Sequence, residues 1–185
     1  PSRMVWIVYI QEISCCDHST DLPLIKRGAQ MFTLSHTMQV NTEEPTLSRA
    51  QIWRGLLLKA EDPVPFLDAM SACRIVDRGE NWLIRDFTLR SEEMQERVTF
   101  KPEERVTFER TKSSAMGTIL NEIITLDDNR LALRFTFTLD VNGLADGSPE
   151  EAEFAEQMSQ SYFQGVRSTL VEIRRQVRSG KLSTE

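Results

Sequence analysis

The feature that most constrains this chain is one long amphipathic stripe near its C-terminal end. Phe154, Met158, Tyr162, Val166, Leu170, Ile173 and Val177 recur at spacings of three or four residues, the period of a single helix face. Ahead of them, Ser148-Pro149-Glu150-Glu151 supplies a serine cap, a proline suited to the first helical position and acids for the first turn. Arg174, Arg175 and Arg178 crowd the far end, where cations suit the helix dipole. The pattern predicts a helix of about 30 residues, ~45 Å long at roughly 1.5 Å per residue. A helix of that length with one apolar face needs a broad surface to lie on.

The rest of the chain offers such a surface. Phe32, Leu34, His36, Met38 and Val40 alternate with polar residues, the period-2 pattern of a half-buried strand. A further run of strands is expected at 72–77, 82–90, 94–101, 105–112, 116–125 and 130–142. Turn residues separate them at Arg78-Gly79-Glu80-Asn81, Pro102-Glu103-Glu104 and Asp127-Asp128-Asn129. Short connections make consecutive strands antiparallel neighbours. The near copies Glu96-Arg97-Val98-Thr99-Phe100 and Glu104-Arg105-Val106-Thr107-Phe108 read as the two arms of one hairpin. With a loop at 102–104, Phe100 faces Val106, Val98 faces Phe108 and Glu96 faces Arg110.

Two short helices are expected after the first strand. Gln51 to Leu58 forms one, with Ser48 as its N-cap, and Phe66-Leu67-Asp68-Ala69-Met70 the other, beyond Pro63 and Pro65. The order is therefore strand, two short helices, six strands and a long helix: an α+β chain in which a curved antiparallel sheet of about seven strands wraps a C-terminal helix. A strongly curved sheet cannot have its concave face filled by one helix, so a cavity for a small apolar molecule is expected between them.

Composition narrows the partners. The net charge of -6 disfavours nucleic acid and anionic membranes, and no apolar run approaches the length of a membrane span. Three cysteines, Cys15, Cys16 and Cys73, lack the spacing of a disulfide framework and suggest reduced thiols in the cytoplasm. Only His18 and His36 are available as imidazole ligands, so neither a metal site nor a motif-borne cofactor is expected. Residues 1–30 read as an extension appended to a domain spanning 31–182, with Met31 a candidate natural start. The alternative is an added edge strand or an arm for homo-oligomerisation. The run Val5 to Ile10 lacks the length and cleavage site of a signal peptide.

Val40-Asn41, Gln51-Ile52-Trp53-Arg54-Gly55-Leu56, Pro65-Phe66, Ile84-Arg85-Asp86-Phe87, Asn121-Glu122-Ile123 and Leu131-Ala132-Leu133-Arg134-Phe135-Thr136-Phe137 carry a resemblance to a known family. Together with the element order they resemble the helix-grip superfamily of START domains, polyketide cyclases and birch-pollen allergens (SRPBCC), and within it the AtaL-like branch. That branch occurs in bacteria and in fungal secondary-metabolite clusters. The resemblance covers Met31 to about Leu182 and implies binding of an apolar metabolite, without a shared reaction.

Polar side chains on apolar strand faces mark the candidate site, because burying them costs free energy unless they are paired. His36, Arg85, Glu96 and Arg110 are the four. His36 and Glu96 are the candidate acid/base groups; the bland reading of His36 is a hydrogen-bonded core residue, and that of a Glu96–Arg110 pair a part-solvated ion pair. Arg85 and Arg110 would hold a ligand carboxylate, phenolate or enolate. Phe87, Phe100, Phe108, Phe135 and Phe137 are expected to form apolar walls, and Tyr162 to reach in from the last helix unless it merely packs. A two-residue turn at Asp128-Asn129 would bring Glu122 inward, a three-residue turn Asn121; because Asn121 belongs to the resemblance, the reading favours it. Trp53 is expected to cover one end of the barrel.

Three functions fit. One is a binding module for an apolar metabolite. Another is a cofactor-free cyclase, isomerase or dehydratase acting on a polyketide- or peptide-derived intermediate, with Arg85 and Asn121 polarising a carbonyl. The third is a protein-interaction domain that uses residues 1–30.

Overall fold

A computed structural model of the chain describes residues 31–140 and 149–182. Residues 1–30, with Cys15, Cys16 and His18, lie outside the described residues. Strand β1 (Met31–Gln39) is followed by helix α1 (Arg49–Glu61), then by β2 (Met70–Gly79), β3 (Trp82–Leu89), β4 (Glu92–Lys101), β5 (Arg105–Lys112), β6 (Gly117–Thr125) and β7 (Leu131–Asp140). Helix α2 (Pro149–Arg178) closes the chain. The strands form one seven-stranded antiparallel sheet in the order β1-β7-β6-β5-β4-β3-β2. The meander from β2 to β7 follows chain order, and β1 joins at the far edge beside β7.

Local chemistry accounts for the boundaries. Ser48 caps α1 in a capping box, its hydroxyl taking the Gln51 amide while the Gln51 side chain takes the Ser48 amide. The helix runs past the expected end at Leu58 to Glu61. The second expected helix is a single turn, in which the amides of Phe66 and Leu67 both donate to the Pro63 carbonyl. Met70 already belongs to β2. Two prolines within three residues leave too few amide donors for a longer helix there. The hairpin loops at Glu103 and Asn129 each place one residue in the left-handed region, at φ 56° and 63°.

The registers of the concave face follow the apolar pattern. Phe100 opposes Val106, Val98 opposes Phe108 and Glu96 opposes Arg110, as the hairpin copies require. The loop between β6 and β7 closes over Asp127 to Asn129, the Leu126 amide donating to the Arg130 carbonyl. That three-residue loop pairs Asn121 with Phe135 and turns Asn121 inward. Glu122 points outward and pairs with Arg134 at 2.9 Å.

Helix α2 lays its stripe on β1 and β7, while α1 packs against α2 and against β2, β5 and β6. Val166, Leu170 and Ile173 of the stripe are fully buried. At the crossing of the helices, Gly55 lets Ile173 approach so closely that an added Cβ would lie 2.3 Å from its side chain. The two helices thus cover the β1–β7 side and one end of the concave face. The C-terminal end of α1 reaches β3, where Arg85 meets its last carbonyls.

Candidate functional site

Directly opposed residues of antiparallel strands share a face, so the concave surface is built of cross-sheet rows. One row runs Arg85, Glu96, Arg110 and Gly117. The next runs Leu83, Val98, Phe108, Ile119, Phe137 and Leu34. A third runs Phe100, Val106, Asn121, Phe135 and His36. Gly117 ends the charged row because its φ of +141° and an added Cβ only 2.1 Å from the Thr138 carbonyl oxygen admit no side chain.

Over these rows lies a cavity of about 390 Å³. Phe87, Phe108, Phe135 and Phe137 wall it from the sheet, Met158 and Tyr162 from α2, and Lys59 from α1. Arg85, Glu96, Arg110 and Asn121 supply its polar surface. Arg90 and Ser91 of the β3–β4 turn and Glu92, the first residue of β4, also line it. Glu92 is tied to the next connection, accepting the Ser114 amide at 2.6 Å, and that bond holds its carboxyl below the usual range.

At one end, Arg85 is consumed by the fold. Its Nε donates to Glu96 at 2.7 Å, and Nη2 lies 2.5 Å from the same carboxylate. Its Nη1 donates to the carbonyls of Lys59 and Ala60 at 2.9 and 2.6 Å. Those are among the last carbonyls of α1, which have no partner within the helix, so Arg85 caps the helix C-terminus and complements its dipole. The rings of Phe87 and Phe108 flank the guanidinium at 5.4 and 5.2 Å. Arg85 and Glu96 are both 2% exposed. The expected Glu96–Arg110 contact exists as register but not as an ion pair, since Glu96 goes to Arg85 on its other side. Arg110 instead donates to the Ala115 carbonyl at 2.9 Å.

Elsewhere on the cavity wall, polar groups are left over. The Tyr162 hydroxyl and the Arg110 Nε are buried and have no hydrogen-bond partner. Tyr162 stacks on Phe137 with ring centroids 3.3 Å apart, and burial pushes its phenol up to about 12. Lys59 is only 5% exposed, and its Nζ lies 4.2 Å from the centre of the Phe135 ring. With the Asn121 amide turned so that both its atoms are satisfied, Asn121 donates to the Leu120 carbonyl and its oxygen accepts from Lys59 Nζ at 3.3 Å. Burial lowers the Lys59 ammonium to about 7, with the nearby Arg85 charge acting in the same direction and Glu96 opposing it.

The structure thus gathers Arg85, Glu96, Arg110, Asn121, Phe87, Phe108, Phe135, Phe137 and Tyr162 around one cavity. It does not bring His36 or Phe100 there. These two stand at opposite ends of their row, and each is covered locally. His36 lies under α2, its Nε2 3.3 Å from the Ser159 hydroxyl, and burial lowers its pKa. Phe100 meets Trp53 of α1 edge to face at 6.5 Å. Lys59 escaped sequence reasoning because the helix was ended one residue too soon. The signal was present: Ile52, Leu56 and Lys59 continue one buried stripe of α1. Among the described residues no cluster of histidine, cysteine or carboxylate side chains could hold a metal ion. No described helix is long and apolar enough to cross a membrane.

Residues 34–180 match the family model AtaL, described as acetylaranotin biosynthesis cluster protein L. The chain belongs to the AtaL family. This AtaL-family chain has the fold of several solved helix-grip proteins. It superposes on the Zhui aromatase/cyclase from Streptomyces sp. R1128 with TM-score 0.66 and 17% identity, covering 82% of this chain and 98% of that one. The di-domain ARO/CYC StfQ from the steffimycin biosynthetic pathway gives TM-score 0.63 and 11% identity over 81% of this chain and 52% of StfQ, about half of that protein. Ara h 8.0201 gives 0.53 and 11%, covering 77% of this chain and 99% of that one. At these identities the likeness is one of fold. No curated protein matches the AtaL-family chain in sequence.

Proposed function

We propose that the cavity binds a small, mostly apolar or aromatic metabolite bearing oxygen acceptors, in secondary metabolism. One observation carries this reading: two buried donors, the Tyr162 hydroxyl and Arg110 Nε, stand without partners on the wall of an otherwise aromatic cavity. Buried polar groups are normally satisfied, and a site that leaves two open is complementary to a ligand that fills them. The biosynthetic cluster named in the AtaL family description, and the pathway roles named for Zhui and StfQ, support the metabolic setting. Native mass spectrometry of the purified protein against a panel of aromatic and polycarbonyl metabolites tests it. A one-to-one complex is expected, lost in Ile119→Trp, which fills the cavity. A protein that binds none of the panel, or an Ile119→Trp variant that binds equally well, overturns the reading.

A cofactor-free cyclase, isomerase or dehydratase is the second reading. It is favoured by Lys59, an amine that titrates near neutrality beside Asn121. His36 lies outside the cavity and Glu96 is held by Arg85, so in this reading proton transfer falls to Lys59, with Tyr162 and Asn121 polarising a carbonyl. An enzyme loses turnover and keeps binding when Lys59 is replaced; a binder has no turnover to lose.

A further inference from the structure

We propose that the Lys59 amine captures a ligand carbonyl covalently, forming a Schiff base with a ketone or aldehyde carbon held beside the Phe135 ring. This deepens the binding reading above and rests on it.

The surroundings of Lys59 satisfy an ammonium poorly. An ammonium presents three donors, and Lys59 Nζ meets one acceptor, the Asn121 oxygen, and the face of Phe135. No carboxylate of the described residues forms an ion pair with it; Glu96, the nearest acid in effect, is engaged by Arg85. The charged or titratable groups facing Lys59 from the packed elements are Arg85 of β3 and Glu96 of β4. Arg110 of β5 and Tyr162 of α2 stand on the same cavity wall. Arg85 repels a second positive charge, and the apolar walls penalise it. The neutral amine has a free electron pair and lines a cavity able to hold an organic ligand. Lys101, Lys112 and Lys181 are exposed and serve as internal controls.

In the reaction, the nitrogen pair forms a bond to the carbonyl carbon and the carbonyl π pair moves to oxygen. One N–H proton is transferred to that oxygen, giving a carbinolamine. The hydroxyl then leaves with the second N–H proton as water, giving the imine. Where the next carbon lies between two carbonyls, the imine shifts a proton to become a vinylogous amide, which absorbs in the near ultraviolet. A 1,3-dicarbonyl is therefore a sensitive probe.

The test incubates the full chain with 2,4-pentanedione. We expect the near-ultraviolet band, a mass gain of one diketone less one water, and peptide mapping of the adduct to Lys59. At pH 7 an amine that titrates near 7 holds about a thousand times more neutral form than an ordinary lysine. Labelling of Lys59 should therefore run about 10²–10³ times faster than that of Lys112, with its rate levelling above pH 7 while Lys112 keeps rising. Modification absent from Lys59, or no faster there than at Lys112, overturns the proposal. Displacement of 8-anilinonaphthalene-1-sulfonate by the diketone separates the two readings. Dye that binds and is displaced without an adduct sinks the Lys59 chemistry and leaves binding intact. Failure of the dye to bind, or identical binding by Ile119→Trp, sinks both. Lys59→Met should lose the label; mapping in the wild-type chain decides the matter should that variant misfold.

Discussion

Two buried basic side chains face the same cavity, and they are in opposite states. Arg85 spends its donors on the Glu96 carboxylate and on the final carbonyls of α1. Lys59, whose own carbonyl is one of those, has a single amide oxygen and an aromatic face. Arg85 joins α1 to β3 and β4 through four hydrogen-bonding contacts, whereas Lys59 reaches the sheet through one long contact to Asn121 and the face of Phe135. Burial therefore does not mark a functional group here. What separates the two is whether the protein itself satisfies them.

The largest expected effect comes from breaking the satisfied side. Arg85→Met leaves Glu96 buried without its cation and the α1 carbonyls without a donor, and should cost about 3–5 kcal/mol in urea unfolding. Lys59→Met removes a buried, poorly paired cation and should be neutral or stabilising at pH 7. Equal losses from the two substitutions would erase the contrast between them.

The next effect is a pH dependence. The folded Lys59 titrates near 7 against an ordinary value of 10.5. Between those values the unfolded chain binds the extra proton, so stability rises with pH across the window and is lost as pH falls through about 7. The contribution is at most ~1.4 kcal/mol per pH unit. Denaturation curves at several pH values should show this slope in the wild type, and its absence in Lys59→Met confirms the source. A slope that persists in the variant assigns it to other groups.

Tyr162→Phe sharpens the same comparison at lower amplitude. The hydroxyl has no partner to lose, so the thermal midpoint should hold or rise, with a stability change within about 0.5 kcal/mol. Ligand affinity measured by calorimetry should fall by ~0.5–1.5 kcal/mol, the worth of one hydrogen bond. A marked loss of stability instead would mean that the hydroxyl serves the fold. The smallest effect is expected from His36→Gln. Burial lowers the histidine, so the wild type loses stability as pH falls below 6.5, where the unfolded chain takes up the proton first. The substitution should flatten that acid slope and leave cavity binding unchanged.

The fold was legible because its signals are periodic. The α2 stripe, the near copies at 96–100 and 104–108, and the Ser48 cap each report a local rule, and the structure keeps them all. The second short helix shrank to one turn because Pro63 and Pro65 remove amides over too short a span. The site was legible only as a face. Strand alternation placed His36 and Phe100 on the concave surface; in β6 it left Asn121 and Glu122 open, and the three-residue turn decides for Asn121. It says nothing of what covers the ends of a row, and there Ser159 and Trp53 take His36 and Phe100 away from the cavity.

The sequence by itself determined the order of elements, the register of the central hairpin and, outside β6, which strand positions look inward, because these depend on contacts near in the chain or on a strict period of two. Only the tertiary structure decided which buried charges are spent. Glu96 has an arginine on either side in its row, and it goes to Arg85 because the end of α1 comes down over β3 and brings two more acceptors to that guanidinium. The same approach of α1 carries Lys59 into the cavity against Asn121 and Phe135. No spacing along the chain encodes where the end of one helix meets the middle of a distant strand. Desolvation depends on everything around a group at once, and so the amine of Lys59 acquires its character only when α1 and the sheet have closed around it.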